Sequence, residues 1–490
     1  MLLHVCVFFV LGLHLIYPLR PQSVHQWRQC DSASYSLNYF EQETGFFFPQ
    51  AMNLAGFKGH MVSEFPLLYW ITGKLYGVFG FHEGIARFVT YFVFLLGLWA
   101  VFELGLRLFK NKGNAFLPVL LIYSSPCVVY YAFNFLPNIP AFSLSLVAWL
   151  FFFRYLDKRD VRDFLICSGI ATLASLLKPI EVFNYLIMLA LLVLEYFTLF
   201  GFSYNEQSSV DKKKILFYAI SLLVVNYAWI DYARAYADAF GNHANLLGIL
   251  PIWRMDAENI AQTCKAIGRD WVYQFFWTPA YLAFGASLVL FGVFFNKVNK
   301  YLAFSIIFSI ISQAVYAILF FETFRVHDYY MLNIFIIPAL LVFALVQIGE
   351  KQLTNFVLRK VTLVCLAFFF FMSIKHSRFI LHERYFGVLK TGINENLQTI
   401  EPYLRSIGVK KNDLVVSVPD VSPNISLYMM GQKGWTEAYT GDTYGMDYFY
   451  WHDAKYLIVN GEIHSHKEWY EPHLKNQVGD YKGIKIYKLR

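Results

Sequence analysis

Apolar residues run along this chain in long blocks that occupy every face of a helix rather than a single stripe, as lipid-embedded helices do. Crossing ~30 Å of hydrocarbon takes ~20 mostly apolar residues, and by that measure about eleven segments qualify as spans. They are roughly 1–18, 84–108, 115–133, 139–156, 163–177, 180–202, 214–232, 279–296, 301–321, 330–348 and 356–375. The connections between them sort by charge. Arg107, Lys110 and Lys112 fall in one, Arg154, Lys158, Arg159 and Arg162 in another, then Lys212, Lys213 and Lys214, then Lys297 and Lys300, then Lys351, Arg359 and Lys360. These lie on alternate connections, so the positive-inside rule assigns them to the cytoplasm together with the N-terminus. Segments 19–83, 134–138, 233–278 and 322–329, and the tail after 376, then face outward. The opening run 1–17 lacks a basic n-region and a small-residue cleavage site, and reads as a retained span rather than a signal peptide.

Two outer segments are too long to be turns. In 19–83 the aromatic run Phe65–Phe81, interrupted by Gly73, Gly77 and Gly80, predicts an interfacial or re-entrant helix. In 233–278, Trp253, Trp271, Tyr273 and Trp277 alternate with charges, which predicts helices lying at the membrane surface. From about 380 the pattern changes. Asp413–Pro419 and Ala454–Asn460 read as short buried strands, Gly483–Lys488 as an alternating strand, and Thr391–Ile407 as a helix ending before Gly408. The fold expected is an all-α polytopic membrane domain, 1–378, with outer loops 19–83 and 233–278, followed by a small extracytoplasmic α/β domain, 379–490. No internal repeat of fixed period is evident.

Composition fits this picture. Hydrophobic residues make up 57% of the 490 and charged residues 15%, with a mean hydropathy of +0.43, which excludes a soluble globule. The net charge of +7 is what basic cytoplasmic loops produce and gives no support to nucleic-acid binding. The 6 cysteines show no zinc-ligand spacing and read mostly as small core hydrophobes. Cys30 and Cys264 both lie in outer polar segments, where an oxidising compartment permits a disulfide.

Candidate chemistry concentrates on the outer side. The first outer loop packs Arg20, Arg28, Asp31, Glu41, Glu43, Lys58 and Glu64 between hydrophobic segments, and ionisable groups beside a bilayer are costly unless paired or used. Asn138, Lys178, Arg325, His327, Asp328 and Tyr330 begin or end spans on the same side. A carboxylate to take a proton from a hydroxyl, with cations to hold a phosphate, is the inventory for group transfer from a charged lipid. For Glu41, Glu43 and Glu322 the plainer reading, solvation or local pairing, is preferred. Asp31, in a Trp- and Arg-rich run, is read as functional. Lys178 has the build to snorkel from a helix end, but it opposes the positive-inside bias and is read as a phosphate ligand. His327, between Arg325 and Asp328, is a candidate phosphate contact or metal ligand, and His243 a weaker one.

The runs Val24-His-Gln-Trp-Arg-Gln-Cys-Asp-Ser-Ala-Ser34, Glu64-Phe-Pro-Leu-Leu-Tyr-Trp70, Gly84-Ile-Ala-Arg-Phe88, Phe135-Leu-Pro-Asn-Ile-Pro140, Leu177-Lys-Pro179 and Arg325-Val-His-Asp-Tyr-Tyr330, in this order and spacing, resemble the superfamily of dolichyl-phosphate-mannose protein mannosyltransferases and aminoarabinose transferases. These are GT-C glycosyltransferases. The resemblance covers roughly 1–375, and bacterial members often carry a similar outer α/β tail. It implies that Asp31 is the general base or orients the acceptor, and that Lys178 partners Asp31 or the phosphate. It further implies that Glu64 is a ligand of a divalent metal ion, with His243 standing in for the metal-binding histidine of a later loop. The chain departs from the pattern in three places. Ser32 stands where many members have Glu, Phe65 where the aminoarabinose transferases have a phosphate-binding Lys, and Asn138 where an acid is common. The missing phosphate contact then falls to Arg28 or Arg325.

The resemblance thus implies an integral-membrane enzyme that moves a hexosyl or pentosyl group from a polyprenyl-phosphate donor to a hydroxyl of a glycan, lipid or protein. Transfer proceeds with inversion, at the outer face of a bacterial cytoplasmic membrane. The rival class is a transporter or lipid flippase. Transporters show paired repeats and polar groups at the midplane, whereas here the ionisable residues gather at one face.

Overall fold

The computed structural model describes residues 2–202, 212–242, 248–353, 356–390, 392–438 and 446–489. His243, and Thr391 at the start of the expected tail helix, lie outside the described residues. The chain is mostly helical. Among the described residues six helices are long and apolar enough to cross a membrane: Glu83–Leu108, Asn138–Lys158, Pro179–Tyr196, Lys300–Leu319, Asp328–Gln352 and Val357–Phe386. Two bent pairs, Lys112–Tyr123 with Pro126–Ala132 (82°) and Ala257–Phe275 with Thr278–Val293 (93°), raise the number to eight if each is one span. This is a multi-pass membrane protein. Other expected spans take different forms. The first breaks into Leu2–Val10 and Leu13–Ile16 at Gly12, whose φ of +76° ends a right-handed helix. The segment expected over 163–177 is a helix of 17 residues, Val161–Leu177. The one expected over 214–232 lies inside the longer helix Lys212–Phe240.

The chain clusters into two compact units. One comprises 1–14, 88–230 and 248–382, the other 15–87, 231–247 and 383–490. In the first unit the helices Asn138–Lys158 and Val161–Leu177 pack along each other, joined by a tight turn in which Arg159 is left-handed (φ 53°) and Asp160 caps the Arg162 N–H. Val161–Leu177 stops at Lys178 because Pro179 disfavours the α conformation in the residue before it; Lys178 is extended, at φ −150°, ψ 110°. Three residues on, the buried Glu181 ties three helices together. Its Oε2 accepts from Ser145 Oγ (2.6 Å) and Asn184 Nδ2 (2.9 Å), and its Oε1 from Asn333 Nδ2 (3.0 Å).

In the second unit the tail and the first outer loop fold together. The loop contains a helix absent from the sequence reading, Gln26–Glu41, and a second, Leu67–Phe79, within the expected interfacial run. The two cross closely at Gly73, where a Cβ would stand 2.8 Å from the Ser36 carbonyl oxygen and 2.7 Å from Tyr39 Cβ. The tail forms a five-stranded sheet of β1 (Leu414–Val418), β2 (Gly434–Trp435), β3 (Ala454–Val459), β4 (Gln477–Tyr481) and β5 (Ile484–Lys488), in the order β2-β1-β3-β5-β4. β1 runs parallel to β2 and β3, and β5 antiparallel to β3 and β4. β1, β3 and β5 are the three expected strands. The expected tail helix is instead a short turn, Glu395–Thr399, and a helix Glu401–Ser406. Beyond β2 the first outer loop extends the sheet: Leu54 N–H donates to the Gly434 carbonyl (2.8 Å) and Gly434 N–H to the Met52 carbonyl (3.2 Å). All six cysteines are free, so the disulfide allowed for Cys30 and Cys264 does not form.

Candidate active site

Asp31 sits within the helix Gln26–Glu41, whose serines and asparagine fold back on the backbone one turn earlier: Ser32 to the Arg28 carbonyl, Ser36 to Ser32 and Asn38 to Ser34. The Asp31 carboxylate is wholly buried. Oδ1 accepts a 2.8 Å hydrogen bond from Asn424 Nδ2. Oδ2 lies 3.9 Å from Arg28 Nη1 and has no hydrogen-bond donor among the described residues. Arg28, one turn before, gives Nη2 to the Glu64 carboxylate, to Ser63 Oγ (3.2 Å) and to Tyr69 OH (3.4 Å). Two carboxylates thus share one guanidinium. Burial pushes the Asp31 carboxyl up to about 6; Arg28 and the Asn424 hydrogen bond oppose the rise, and Glu64 and Asp420 add to it. A carboxylate with one oxygen held, no donor on the other, and a pKa near neutrality has the chemistry to take a proton from a hydroxyl.

The other candidates gather in the first unit. The Lys178 ammonium lies over two aromatic rings, 5.1 Å from the centroid of Tyr330 and 5.9 Å from that of Tyr329. His327 packs its ring against the same two, at 5.9 and 5.1 Å. Asn138 donates to the Tyr329 carbonyl at 3.4 Å, and Asp328, fully buried, accepts from Tyr131 OH at 2.5 Å. Lys178, His327, Asn138 and Tyr330 therefore surround one short turn, 327–330, while Asp328 points from it to Tyr131 and anchors it. Arg325 reaches the helix Ala257–Ala266 instead, donating to Asn259 Oδ1 at 2.7 Å and Gln262 Oε1 at 3.4 Å. Both acceptors are neutral, and among the described residues no carboxylate pairs with it. Beside this turn lies an apolar cavity of about 240 Å³, lined by Trp271, Phe275, Phe276, Met331, Ile334 and Phe335 among others.

The expected metal ligand Glu64 faces Arg28 and accepts from the Ser63 hydroxyl. Among the described residues no three His, Cys, Asp or Glu side chains gather as a metal would require. His243, the other expected ligand, lies outside the described residues, and no chemical step is routed through an ion. Sequence reading missed Glu181 and Asn424. An acid inside an apolar run is costly, which alone asks for partners and marks Glu181. Nothing around Asn424 in the chain gives it away.

Residues 63–230 match the family described as dolichyl-phosphate-mannose-protein mannosyltransferase. No curated protein sequence matches the chain. Among solved structures, ArnT from Cupriavidus metallidurans bound to undecaprenyl phosphate is similar with a TM-score of 0.63 at 12% identity, over 98% of this chain and 97% of that one. Its apo state gives 0.56 at 13% identity, over 100% and 98%. The oligosaccharyltransferase of Archaeoglobus fulgidus, in complex with Zn and sulfate, gives 0.55 at 12% identity, over 94% and 68%. The chain therefore has the fold of these GT-C membrane proteins, and its residues 63–230, about a third of it, are similar to the dolichyl-phosphate-mannose-protein mannosyltransferase family.

Proposed function

We propose that this protein transfers one sugar from a polyprenyl-phosphate donor to a hydroxyl acceptor, with inversion, at the outer face of a bacterial cytoplasmic membrane. The observation that carries the reading is the Asp31 carboxylate: buried, held at Oδ1 and with no hydrogen-bond donor on Oδ2 among the described residues. In the reaction Oδ2 removes the acceptor's proton as the acceptor oxygen bonds to the anomeric carbon. The bond from that carbon to the phosphate oxygen breaks, and its electron pair leaves on the lipid phosphate. The products are the glycosylated acceptor, the polyprenyl phosphate and a protonated Asp31. Positive charge grows on the sugar ring and negative charge on the phosphate as the bond breaks. Lys178 and Arg325 as cations, with the His327 imidazole, stabilise the departing phosphate in this reading. The apolar cavity beside 327–330 is suited to an isoprenoid segment. That a similar fold, ArnT, binds undecaprenyl phosphate supports a lipid phosphate as the donor's carrier.

The test is to incubate the purified protein in lipid with a panel of polyprenyl-phosphate sugars and measure release of the lipid phosphate. Turnover with at least one donor, lost in Asp31→Asn, is expected. Full activity in Asp31→Asn would remove the base assignment. A divalent ion at Glu64 belongs to the same reading as a separable element. Activity surviving a chelator leaves Glu64 as the partner of Arg28, while loss restored by an added ion reassigns it.

A further inference from the structure

We infer that Asn424, in the α/β tail, is a positioning residue for the Asp31 base, locked in place by the first outer loop, so that the tail forms part of the acid–base apparatus. The inference rests on the reading of Asp31 given above. Asn424 is fully buried, and its amide has one workable orientation. Its Oδ1 accepts from the Asn53 backbone N–H at 2.9 Å, which turns Nδ2 toward Asp31. Asn53 is fixed in turn: its Nδ2 donates to the Pro423 carbonyl (2.9 Å) and Thr436 Oγ1 (3.0 Å), and its Oδ1 accepts from the Ala55 N–H (2.8 Å).

The short helix that follows Asn424, Ile425–Met430, is held at its far end as well. Arg20 donates to the Met429 carbonyl at 2.9 Å and the Tyr428 carbonyl at 3.3 Å, while its Nε pairs with Glu83 at 2.9 Å. Loop residues on both sides of Asp31 thus grip the segment that carries its hydrogen-bond donor. The consequence for chemistry is directional. A donor on Oδ1 fixes the carboxylate's rotation and leaves Oδ2 as the atom that takes the proton. It also favours the charged form, which in this buried setting would otherwise be scarcer at neutral pH.

The experiment uses the full-length protein in lipid, with kcat/KM for lipid-phosphate release followed from pH 5 to 9. In parallel, a hydrophobic carbodiimide, which reacts with protonated buried carboxyls, reports Asp31 protonation by peptide mass without requiring turnover. In Asn424→Ala the acid limb and the labelling midpoint are both expected to move up by about one pH unit. kcat should fall about 10- to 100-fold, and KM for the donor should change little. Asn424→Ser, with a hydroxyl on a shorter arm, should shift the same way by less, and it carries the test if the alanine variant does not fold. An unmoved midpoint in the folded variant overturns the inference, because a merely structural residue would lower activity without shifting it. If Asp31→Asn retains activity, the base reading itself fails. If Asp31→Asn is inactive while the Asn424 variants keep the wild-type profile, only the role of Asn424 fails.

Discussion

Two buried carboxyl groups in this protein are held in opposite ways. Glu181 has both oxygens occupied, by Ser145, Asn184 and Asn333, and joins three helices. Asp31 has a single hydrogen-bond donor on one oxygen, a guanidinium at 3.9 Å from the other, and no donor on that second oxygen among the described residues. Buried polar atoms are ordinarily satisfied, since each that is not costs ~1–3 kcal/mol. Under the proposed function, the difference separates a carboxyl that builds the fold from one that acts in the reaction.

Substitution can break the comparison at either end. Asp31→Asn keeps an acceptor for Asn424 and should lower kcat/KM by about 10³-fold with no loss of thermal stability. The wild-type group supplies the reason. The folded carboxyl titrates at about 6, above its ordinary value of 3.8, so the fold favours the protonated form. The cost of ionising it is absent below the unfolded pKa and complete above the folded one, at roughly 3 kcal/mol. The same sign predicts that activity declines as pH falls through about 6 and the base takes up its proton, which a kcat/KM–pH profile reads directly. Glu181→Ala should do the reverse and leave three donors unpaired at a cost of about 2–4 kcal/mol. This would appear as a lower unfolding temperature in detergent or as poor membrane yield. Equal thermal loss in both variants would erase the distinction.

Lys178, three residues before Glu181, sharpens it further. Lys178→Met should reduce turnover by about 10- to 100-fold through weaker stabilisation of the leaving phosphate, with the unfolding temperature preserved. A drop in stability matching that of Glu181→Ala would make the lysine a structural group. Gly73→Ala, which forces Leu67–Phe79 away from the Asp31 helix, should cost about 1–3 kcal/mol and lower activity modestly, read as a reduced unfolding temperature and a smaller kcat.

The sequence exposed whatever is written in short-range pattern. The long apolar helices and strands β1 and β3 show as local apolar runs, and β5 as an alternating one. Asp31 and Lys178 stand out because a charge at a membrane boundary is conspicuous whatever surrounds it. The helix Gln26–Glu41 was hidden for a physical reason. It is buried on most sides against polar as well as apolar neighbours, so it shows no apolar stripe, and its serines and asparagine imitate a loop. β2 spans two residues and β4 is largely solvent-facing, too little pattern for either to register. The expected tail helix over-read spaced apolar residues such as Leu397, Ile400 and Leu404, which are buried but carried on two short elements. The partnership of Asp31 and Asn424 crosses 393 positions and leaves no local trace.

That separation also sets a clock. At ~5–20 residues per second on the ribosome, roughly 20–80 s pass between synthesis of Asp31 and synthesis of the residue that orients it. Throughout that interval the sheet edge awaiting residues 52–54 does not yet exist. Under the proposed function, the base is therefore made long before the partner that orients it, and its geometry is set only once the tail has been synthesised.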